Sequence, residues 1–391
     1  MVNKAIINFS KKVWSLGMVF SCLLFLAFFM ITSLPQNVHS ASVDVGTLDK
    51  NFVPSVKGDY VITMAVQDDK KILVGGLFNE IDGKQRNNIA RLNADGTLDN
   101  FNPKIEDGEV ITIALQSDGK ILIGGSFQKI NNQERLGLAR LNANGSLDTN
   151  FHPNFYGGIN KIAVQADGKI IVGAQGGLIR LNPNGTEDAI LGTGQVINVV
   201  IQDNGKILIS GLFGILRLHS DGSQDESFDP DVRSGTGPGG ITPIAVQNDG
   251  KILVGGFFDK INGQNVQNMA RLNPNGSLDS TFKPNVNNLV VALAIQQDGK
   301  ILAGGYFNKV EGQERIGFAR INPDGSVNPF KADIDIGYDS GVFSLVRQPD
   351  EKILVGGSFE TIKGEARNNI ARLSFQEVTV LPGVLMLLLD D

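Results

Sequence analysis

The stretch VITIALQSDGKILIGGSFQKINNQERLGLARLNANGSLDTNFHP, residues 110–153, decides the fold. VITIALQ is rich in β-branched residues and predicts a strand. Ser117-Asp118-Gly119 predicts the hairpin turn that follows, because glycine adopts positive φ freely. KILIGGSF and LGLARLN predict the second and third strands, and Ala143-Asn144-Gly145 predicts a turn into a fourth, SLDTNF. The stretch therefore predicts one small sheet of four antiparallel strands.

The same unit recurs seven times along the chain. A lysine before the second strand, an arginine in the third strand and a glutamine before the first turn each occur once per copy. One such sheet cannot bury both faces, so neighbouring copies must stack around an axis. The sequence therefore predicts an all-β fold, a seven-bladed β-propeller of four-stranded antiparallel blades over residues 46–375. Repeats one to seven are numbered here by their lysines: Lys71, Lys120, Lys169, Lys206, Lys251, Lys300 and Lys352.

The two ends of the repeat region predict how the ring closes. The last copy stops after IARLSF, residues 370–375, and lacks its fourth strand. A spare copy of that strand, GTLDKNFVP at 46–54, precedes the first repeat and matches GSLDTNFHP at 145–153. We expect this N-terminal strand to complete repeat seven, which would hide two open sheet edges.

The first 40 residues predict export. Three lysines precede an almost wholly apolar run at 13–34, and Val38-His39-Ser40 places small residues at positions −3 and −1 before Ala41. That order is typical of a secretory signal peptide, residues 1–40. An uncleaved anchor is the alternative, because about 20 apolar residues can span a bilayer. Either way the sequence predicts a secreted or cell-surface protein.

The composition after residue 40 excludes several classes of function. It contains 32 basic and 41 acidic residues, a net charge of −9, so no nucleic-acid partner is expected. Cys22 and Trp14 both lie in the leader, which excludes a disulfide scaffold, a thiolate nucleophile and a cysteine metal site from the repeats. We expect a monomer with no membrane association after cleavage. The C-terminal tail, 376–391, is either an added strand or the remnant of another domain.

The combined motif resembles a known family. The run from the glutamine through DGKILVGG to ARLN, DGSLD, F and P is similar to the delta-60 repeat β-propeller family over about residues 46–375. The resemblance implies a propeller domain in exported, often surface-associated bacterial proteins, and no established reaction. Kelch repeats share the double glycine but pair it with a tyrosine and a tryptophan, and no tryptophan follows the leader.

The turn after the third strand has two interpretations. Asn93-Ala94-Asp95-Gly96-Thr97-Leu98-Asp99 places oxygen-bearing side chains at alternate positions, as calcium loops do. However, three copies carry asparagine where the first has Asp95, and no bidentate glutamate follows at the expected distance. A plain hairpin turn explains the same residues, since Asn, Asp and Gly all tolerate left-handed geometry. We therefore expect no cofactor and keep calcium as the alternative.

Irregular loops suggest where a partner binds. The lysine-to-arginine spacing is 20 in five repeats and 11 in repeats three and four, so those two have lost nine residues between the second and third strands. The longest links, 229–241 and 331–341, should leave the same face of the molecule as these shortened loops. Variable loops on a rigid scaffold commonly carry binding residues. We expect a notch there, with these candidate ligand- or partner-binding residues: Tyr156, Asp231, Arg233, Thr236 and Tyr338.

The predicted function is a non-enzymatic binding or scaffold module, with a protein or glycan partner at the cell surface or outside the cell. No catalytic constellation rises above the repeat, and features present seven times are better explained as scaffold. The alternative is an extracellular enzyme with an axial pocket that acts on a glycan or small metabolite, because propellers host both kinds of function. Unpaired acids with perturbed pKa values in the axial channel would favour the enzyme.

Overall fold

A computed structural model describes residues 41–153, 157–335, 337 and 340–380 of the chain, and every regular element in them is a β-strand. Residues Gly46–Phe375 form one compact unit. Within the described residues, no helix has the length and apolarity to cross a membrane. The predicted signal peptide, residues 1–40, lies outside the described residues, as do tail residues 381–391.

Each repeat contributes three antiparallel strands to one sheet. The first strands are Val56–Val66, Val110–Leu115, Ile159–Val164, Asn198–Ile201, Gly240–Val246, Val290–Ile295 and Gly341–Arg347. The second strands are Ile72–Ile81, Ile121–Gly125, Ile170–Ala174, Ile207–Gly211, Ile252–Phe257, Ile301–Gly305 and Ile353–Ser358. The third strands are Ile89–Leu92, Leu138–Leu141, Gly177–Leu181, Gly214–Leu218, Met269–Leu272, Phe318–Ile321 and Ile370–Val380. In repeat two, Ile121 lies between Leu115 and Leu141, which is the predicted hairpin register.

The prediction of a fourth strand in every blade is wrong. Among the described residues it forms as a full strand following the third only in repeat three, as Glu187–Thr193. In five other repeats a single bridge, such as Leu141 opposite Leu147, takes its place. The reason is local: Asp148 accepts a hydrogen bond from the Asn150 N–H at 3.1 Å, and Pro153 cannot donate to a ladder. The fourth stretch of repeat three contains no proline.

The loop between the second and third strands carries a small hairpin in the longer repeats. In repeat two, Lys129–Ile130 pairs with Gln133–Glu134 and also with Ile105–Glu106, which belongs to the link from repeat one. The loop and the link therefore lie on one face of the molecule, which we call the loop face. In repeats five, six and seven the corresponding hairpins are Lys260–Ile261 with Gln264–Asn265, Lys309–Val310 with Gln313–Glu314, and Thr361–Ile362 with Glu365–Ala366. In repeat one, Lys84–Gln85 pairs instead with the end of the second strand. In repeats three and four, Ala174 pairs directly with Gly177, and Gly211 with Gly214.

The glycine pairs of the second strands lie at close backbone contacts within and between repeats. A Cβ on Gly124 would lie 2.7 Å from a methyl carbon of Ile159 in the next repeat, and a Cβ on Gly125 would overlap the Glu109 carbonyl oxygen. The same relation joins Gly356 of repeat seven to Val61 of repeat one, at 2.8 Å. The glycines are therefore required by this close packing. The first strands also contact one another in chain order, and that of repeat seven contacts that of repeat one.

A repeated ion cluster fixes the third strand in every repeat except repeat six, where Asn328 stands in place of the aspartate. In repeat two, Asp148 lies 2.8 Å from both the Lys120 ammonium and the Arg140 guanidinium. Arg140 also donates to the Pro183 carbonyl oxygen of repeat three at 2.6 Å and lies 4.4 Å from the centre of the Phe151 ring. The arginine of the cluster thus joins two neighbouring repeats. The equivalent aspartates are Asp99, Asp188, Asp225 and Asp279, and Asp49 for repeat seven.

Four equivalent phenylalanines close interfaces between repeats. Phe101, Phe151, Phe228 and Phe282 are all at most 1% exposed. Phe101 packs beneath the turn of the following repeat, where a Cβ on Gly145 would lie 2.9 Å from its ring. The hydrophobic core is accordingly divided among the interfaces: one cluster combines Leu73 and Ile89 of repeat one with side chains of repeat two.

Candidate functional site

The main candidate site is a cavity of about 540 Å³ lined by the first strands of all seven repeats, here called the central cavity. In six repeats the first strand carries a β-bulge at one position, between Val110 and Thr112 in repeat two and between Ile159 and Lys161 in repeat three. A bulge re-aims a side chain that regular pleating would point elsewhere. The cavity lining accordingly includes one residue from this position in every repeat: Ile62, Ile111, Asn160, Ile197, Thr242, Val291 and Phe343.

One side of the cavity, at repeats three to five, is polar. Asn160 donates its side-chain amide to the Val196 carbonyl oxygen at 2.8 Å, and Thr242 donates its hydroxyl to the Val290 carbonyl oxygen at 2.7 Å. Asn198, in repeat four, accepts a hydrogen bond from the Val199 N–H at 2.8 Å through Oδ1. Asn160 and Thr242 stand where repeats one, two and six have the aliphatic residues Ile62, Ile111 and Val291.

Lys161 is the only charged residue among the described residues that line the central cavity. In that part of the chain its ammonium has no hydrogen-bond or ion-pair partner, and no aspartate or glutamate is among the lining residues. Burial lowers the pKa of the Lys161 ammonium below its ordinary value. Lys161 is half-buried, and charged side chains in such positions are normally paired. An unpaired ammonium facing a cavity is therefore a site where a ligand can supply the missing charge.

The opposite side of the cavity is aromatic. The Phe343 ring lies edge-on to Tyr60, with the ring centres 6.0 Å apart, and 5.4 Å from the centre of the Tyr306 ring. The Tyr60 hydroxyl donates to Glu109 Oε2 at 2.6 Å. Burial first, and then this carboxylate, raises the pKa of Tyr60 well above its ordinary value. Tyr60 therefore stays a neutral donor at physiological pH.

Three of the residues predicted for partner binding lie on one hairpin of the loop face. Val232–Ser234 pairs with Gly237–Pro238 and, on its other edge, with Lys260–Ile261 of repeat five. Arg233 donates to Asp231 at 2.6 Å, both side chains are about half exposed, and Thr236 is exposed in the turn. We call residues 229–240 the link hairpin; it lies beside repeat four, where a Cβ on Gly214 would be 3.2 Å from Val232. Asp231, Arg233 and Thr236 do not line the central cavity, and Tyr156 and Tyr338 lie outside the described residues.

The turn considered for calcium is tied together by its own side chains. Asp95 Oδ1 accepts hydrogen bonds from the Thr97 N–H at 2.9 Å and from the Thr97 hydroxyl at 2.7 Å. Asn144 and Ser146 form the same pair in repeat two. No group of three or more His, Cys, Asp or Glu side chains in the described part of the chain could hold a metal ion. The contacts are those of a hairpin turn.

Sequence reasoning missed Lys161 because it followed the features that recur. The signal is visible when the first strands are aligned on the glutamine that ends each one: Lys161 is four positions before Gln165. The equivalent residues of the other repeats are all uncharged: Thr63, Thr112, Asn198, Pro243, Ala292 and Ser344. A single charge among seven equivalent positions breaks the symmetry of the repeats. The sequence alone does not show that this residue lines a cavity, because that depends on the bulge in the strand.

A family model described as the domain of unknown function DUF5122 β-propeller matches residues 67–101, 116–151, 165–189, 202–228, 247–282, 296–330 and 348–374. The chain belongs to this β-propeller repeat family. The match covers one segment in each of the seven repeats and supports the propeller interpretation of the motif. The resemblance to the delta-60 repeats stays a prediction of the sequence.

Solved structures with the same fold are distant in sequence. A streptogramin B lyase is 14% identical, with 85% of this chain and 98% of that chain covered at a TM-score of 0.59. The WD40 β-propeller domain of Doa1 is 13% identical, with 85% and 97% covered at 0.54. An extracellular domain assigned to a one-component system of B. thetaiotaomicron is 12% identical, with 83% and 40% covered at 0.53. At these identities the likeness shows the fold alone. A comparison with characterised protein sequences gives no significant match.

Proposed function

We propose that this protein is an exported, non-enzymatic binding module that takes a small molecule into its central cavity. The observation that carries the proposal is the symmetry break at the bulge. Five of the seven repeats share the glycine pair and six have the aspartate of the ion cluster, whereas the residues that line the cavity change from aliphatic to polar to aromatic from repeat to repeat. Packing requirements repeat with the scaffold, whereas a ligand contacts each repeat differently. A concave site with mostly apolar walls and a few convergent polar groups is the usual form of a small-molecule site.

The proposal includes a closed ring of seven blades in which the N-terminal strand completes repeat seven. Two observations support it. The strand Ala41–Leu48 lies next to Ile370–Val380 in the sheet of repeat seven. Asp49 then lies 3.0 Å from Lys352 and 2.9 Å from Arg372, the relation that Asp99 has to Lys71 and Arg91 inside repeat one. A closed ring holds the cavity walls in fixed positions, which is what a preformed binding site requires.

Two observations support export: the sequence of the leader and the extracellular domains among the solved structures that share the fold. Residues 1–40 have the order of a signal peptide. Two of the similar solved structures are extracellular domains from B. thetaiotaomicron. We propose that the repeats act at the cell surface or outside the cell. The repeat region contains no cysteine, so an oxidising environment cannot form disulfides in it.

The test of the binding function is to fill the cavity. Saturation-transfer NMR with a panel of aromatic and aliphatic fragments would be recorded for the native protein and for Val291→Trp, at a bulge position in the cavity wall. Ile190→Trp is the matched control, because Ile190 is 66% exposed and does not line the cavity. We expect fragment binding to be lost in Val291→Trp and kept in Ile190→Trp, with similar melting temperatures for both. An identical set of bound fragments in the two variants would exclude the central cavity as the site.

A further inference from the structure

We propose that the ligand of the central cavity is a small organic anion whose carboxylate is held by Lys161 and whose apolar body packs against the aromatic side. This inference rests on the proposed function and adds the chemical class of the ligand. It is argued from three features of the lining: an uncompensated cation, a second hydrogen-bond donor beside it, and aromatic rings across from both.

The uncompensated cation is Lys161. Removing an ammonium from water is costly unless an opposite charge replaces the solvent, and the described cavity lining contains no carboxylate. Other lysines of the chain do have such partners: the lysine that precedes each second strand lies 2.7 to 3.1 Å from an aspartate. Lys161 faces the cavity and has no such partner among the described residues. We therefore assign the missing anion to the ligand.

The second donor is Asn198. It occupies, in repeat four, the position equivalent to Lys161 in repeat three, and the first strands of these two repeats contact each other. Its Oδ1 is already occupied by the Val199 N–H, so the side-chain NH₂ group is the part that remains for a ligand. An ammonium and an amide NH₂ at adjacent positions match the two oxygen atoms of one carboxylate.

The aromatic rings define the other end of the ligand. Tyr60, Phe343 and Tyr306 form a continuous cluster at repeats six, seven and one, across the ring of repeats from Lys161. Aliphatic side chains such as Ile111 and Val291 lie between the two sides. Aromatic rings stack in offset or edge-on arrangements, so this cluster favours a ligand whose apolar part is a planar ring system. A cavity of about 540 Å³ is within the usual range for a ligand of this size.

The test compares an anion with its neutral isostere. Isothermal titration calorimetry would measure binding of 2-naphthoate and of 2-naphthamide to the native protein, Lys161→Met, Lys161→Arg and Lys84→Met. Lys84 is an exposed lysine of the repeat-one loop, and its substitution removes the same charge away from the cavity. We expect the native protein, Lys161→Arg and Lys84→Met to prefer naphthoate by about tenfold or more, the usual size of one charge-assisted hydrogen bond.

In Lys161→Met we expect that preference to disappear while naphthamide binding is unchanged. The inference is wrong if the native protein does not prefer naphthoate, if neither probe binds, or if the preference survives in Lys161→Met. Val291→Trp separates the two proposals. If both probes bind equally and Val291→Trp abolishes both, the cavity binds ligands without using the charge. If binding is the same in Val291→Trp, the proposed function fails as well.

Discussion

Asp49 and Arg372 are 323 positions apart and form an ion pair, with Arg372 Nε donating to Asp49 Oδ2 at 2.9 Å. The same carboxylate accepts a hydrogen bond from the Lys352 ammonium at 3.0 Å. The backbone N–H of Asp49 donates to the Arg372 carbonyl oxygen at 2.8 Å, so both main chain and side chain are engaged. The N-terminal segment thus supplies the aspartate that repeat seven lacks in its own sequence.

Loss of this aspartate should destabilise the whole repeat region. Asp49→Ala leaves the Arg372 guanidinium, whose side chain is 8% exposed, without its counter-charge. We expect the free energy of unfolding to fall by about 3 kcal/mol, the usual result of removing one partner of a buried pair. Urea denaturation followed by circular dichroism measures it. Lys50→Ala is the control, because Lys50 is 77% exposed and should change stability by less than about 0.5 kcal/mol. Equal shifts in the two variants would contradict this role of Asp49.

Acid should unfold the protein through the aspartates of these ion clusters. Burial alone would raise the pKa of Asp148, but hydrogen bonds from Lys120 and Arg140 outweigh it and hold the pKa below its ordinary value. The pKa of Asp188 is lowered by hydrogen bonds from Arg180 and then Lys169. The equivalent carboxyl groups shift in the same direction: Asp49, Asp99, Asp225 and Asp279.

The sign of the pH effect follows from these lowered pKa values. The unfolded chain binds protons at a pKa of about 3.9, above the folded value, so the stability from the clusters is complete above that pH and is lost below it. We expect the urea midpoint to be constant from about pH 7 to pH 5 and to fall steeply below about pH 4. Asp148→Asn should show a shallower fall. A midpoint that does not change down to about pH 3 would mean that the clusters contribute little.

The regular part of the fold follows directly from the sequence, since each strand and turn is specified by nearby residues. The turns at Gly119 and Gly145 need positive φ, which the structure has at 80° and 89°, and the glycine pairs need close backbone approach. The fourth strand could not be predicted from its β-favouring residues, because Asp148 hydrogen-bonds within its own turn and competes with the ladder.

The candidate site was less predictable because it depends on register. In repeat two Ile111 lines the cavity and Thr112 does not, whereas in repeat three both Asn160 and Lys161 line it, and the sequence alone does not show this difference. No sequence pattern marks the bulge apart from Gly125, which lies against the Glu109 carbonyl oxygen. From the sequence alone, Lys161 is therefore only a polar residue on a strand. Its place in the cavity lining becomes visible once the pairing of the first and second strands of repeat three is known.

Truncation of one interior phenylalanine should show that the repeats depend on their interfaces. Phe151 is fully buried, stacks under Arg140 and packs below the turn at Gly185 of the next repeat. We expect Phe151→Ala to cost about 3–5 kcal/mol, because it leaves a cavity that a rigid interface cannot fill. Thermal and urea unfolding measure the cost. Phe257→Ala removes the same ring from a residue that is 58% exposed and should cost far less. A change below about 1 kcal/mol for Phe151→Ala would contradict the interface role.

The link hairpin is a separate proposal for contact with a protein or glycan partner on the loop face. Arg233 and Asp231 are half exposed on a paired, well-supported strand, so their side chains are presented in a fixed geometry at little entropic cost on binding. Capture of partners from the native extracellular fraction would be compared for the native protein, Arg233→Ala, and deletion of residues 229–240, with bound material identified by mass spectrometry. We expect the same specific partner to be reduced by Arg233→Ala and lost in the deletion.

Two controls keep that comparison interpretable. Arg347→Ala removes an arginine of similar exposure, 41%, that pairs with Glu351 rather than with the hairpin, and it should leave capture unchanged. The deletion also removes Val232, which is buried, so its melting temperature must be measured alongside that of Arg233→Ala, which removes only an exposed side chain. If Arg233→Ala and a folded deletion variant both capture what the native protein captures, the extended link reflects only the tolerance of surface loops for extra length.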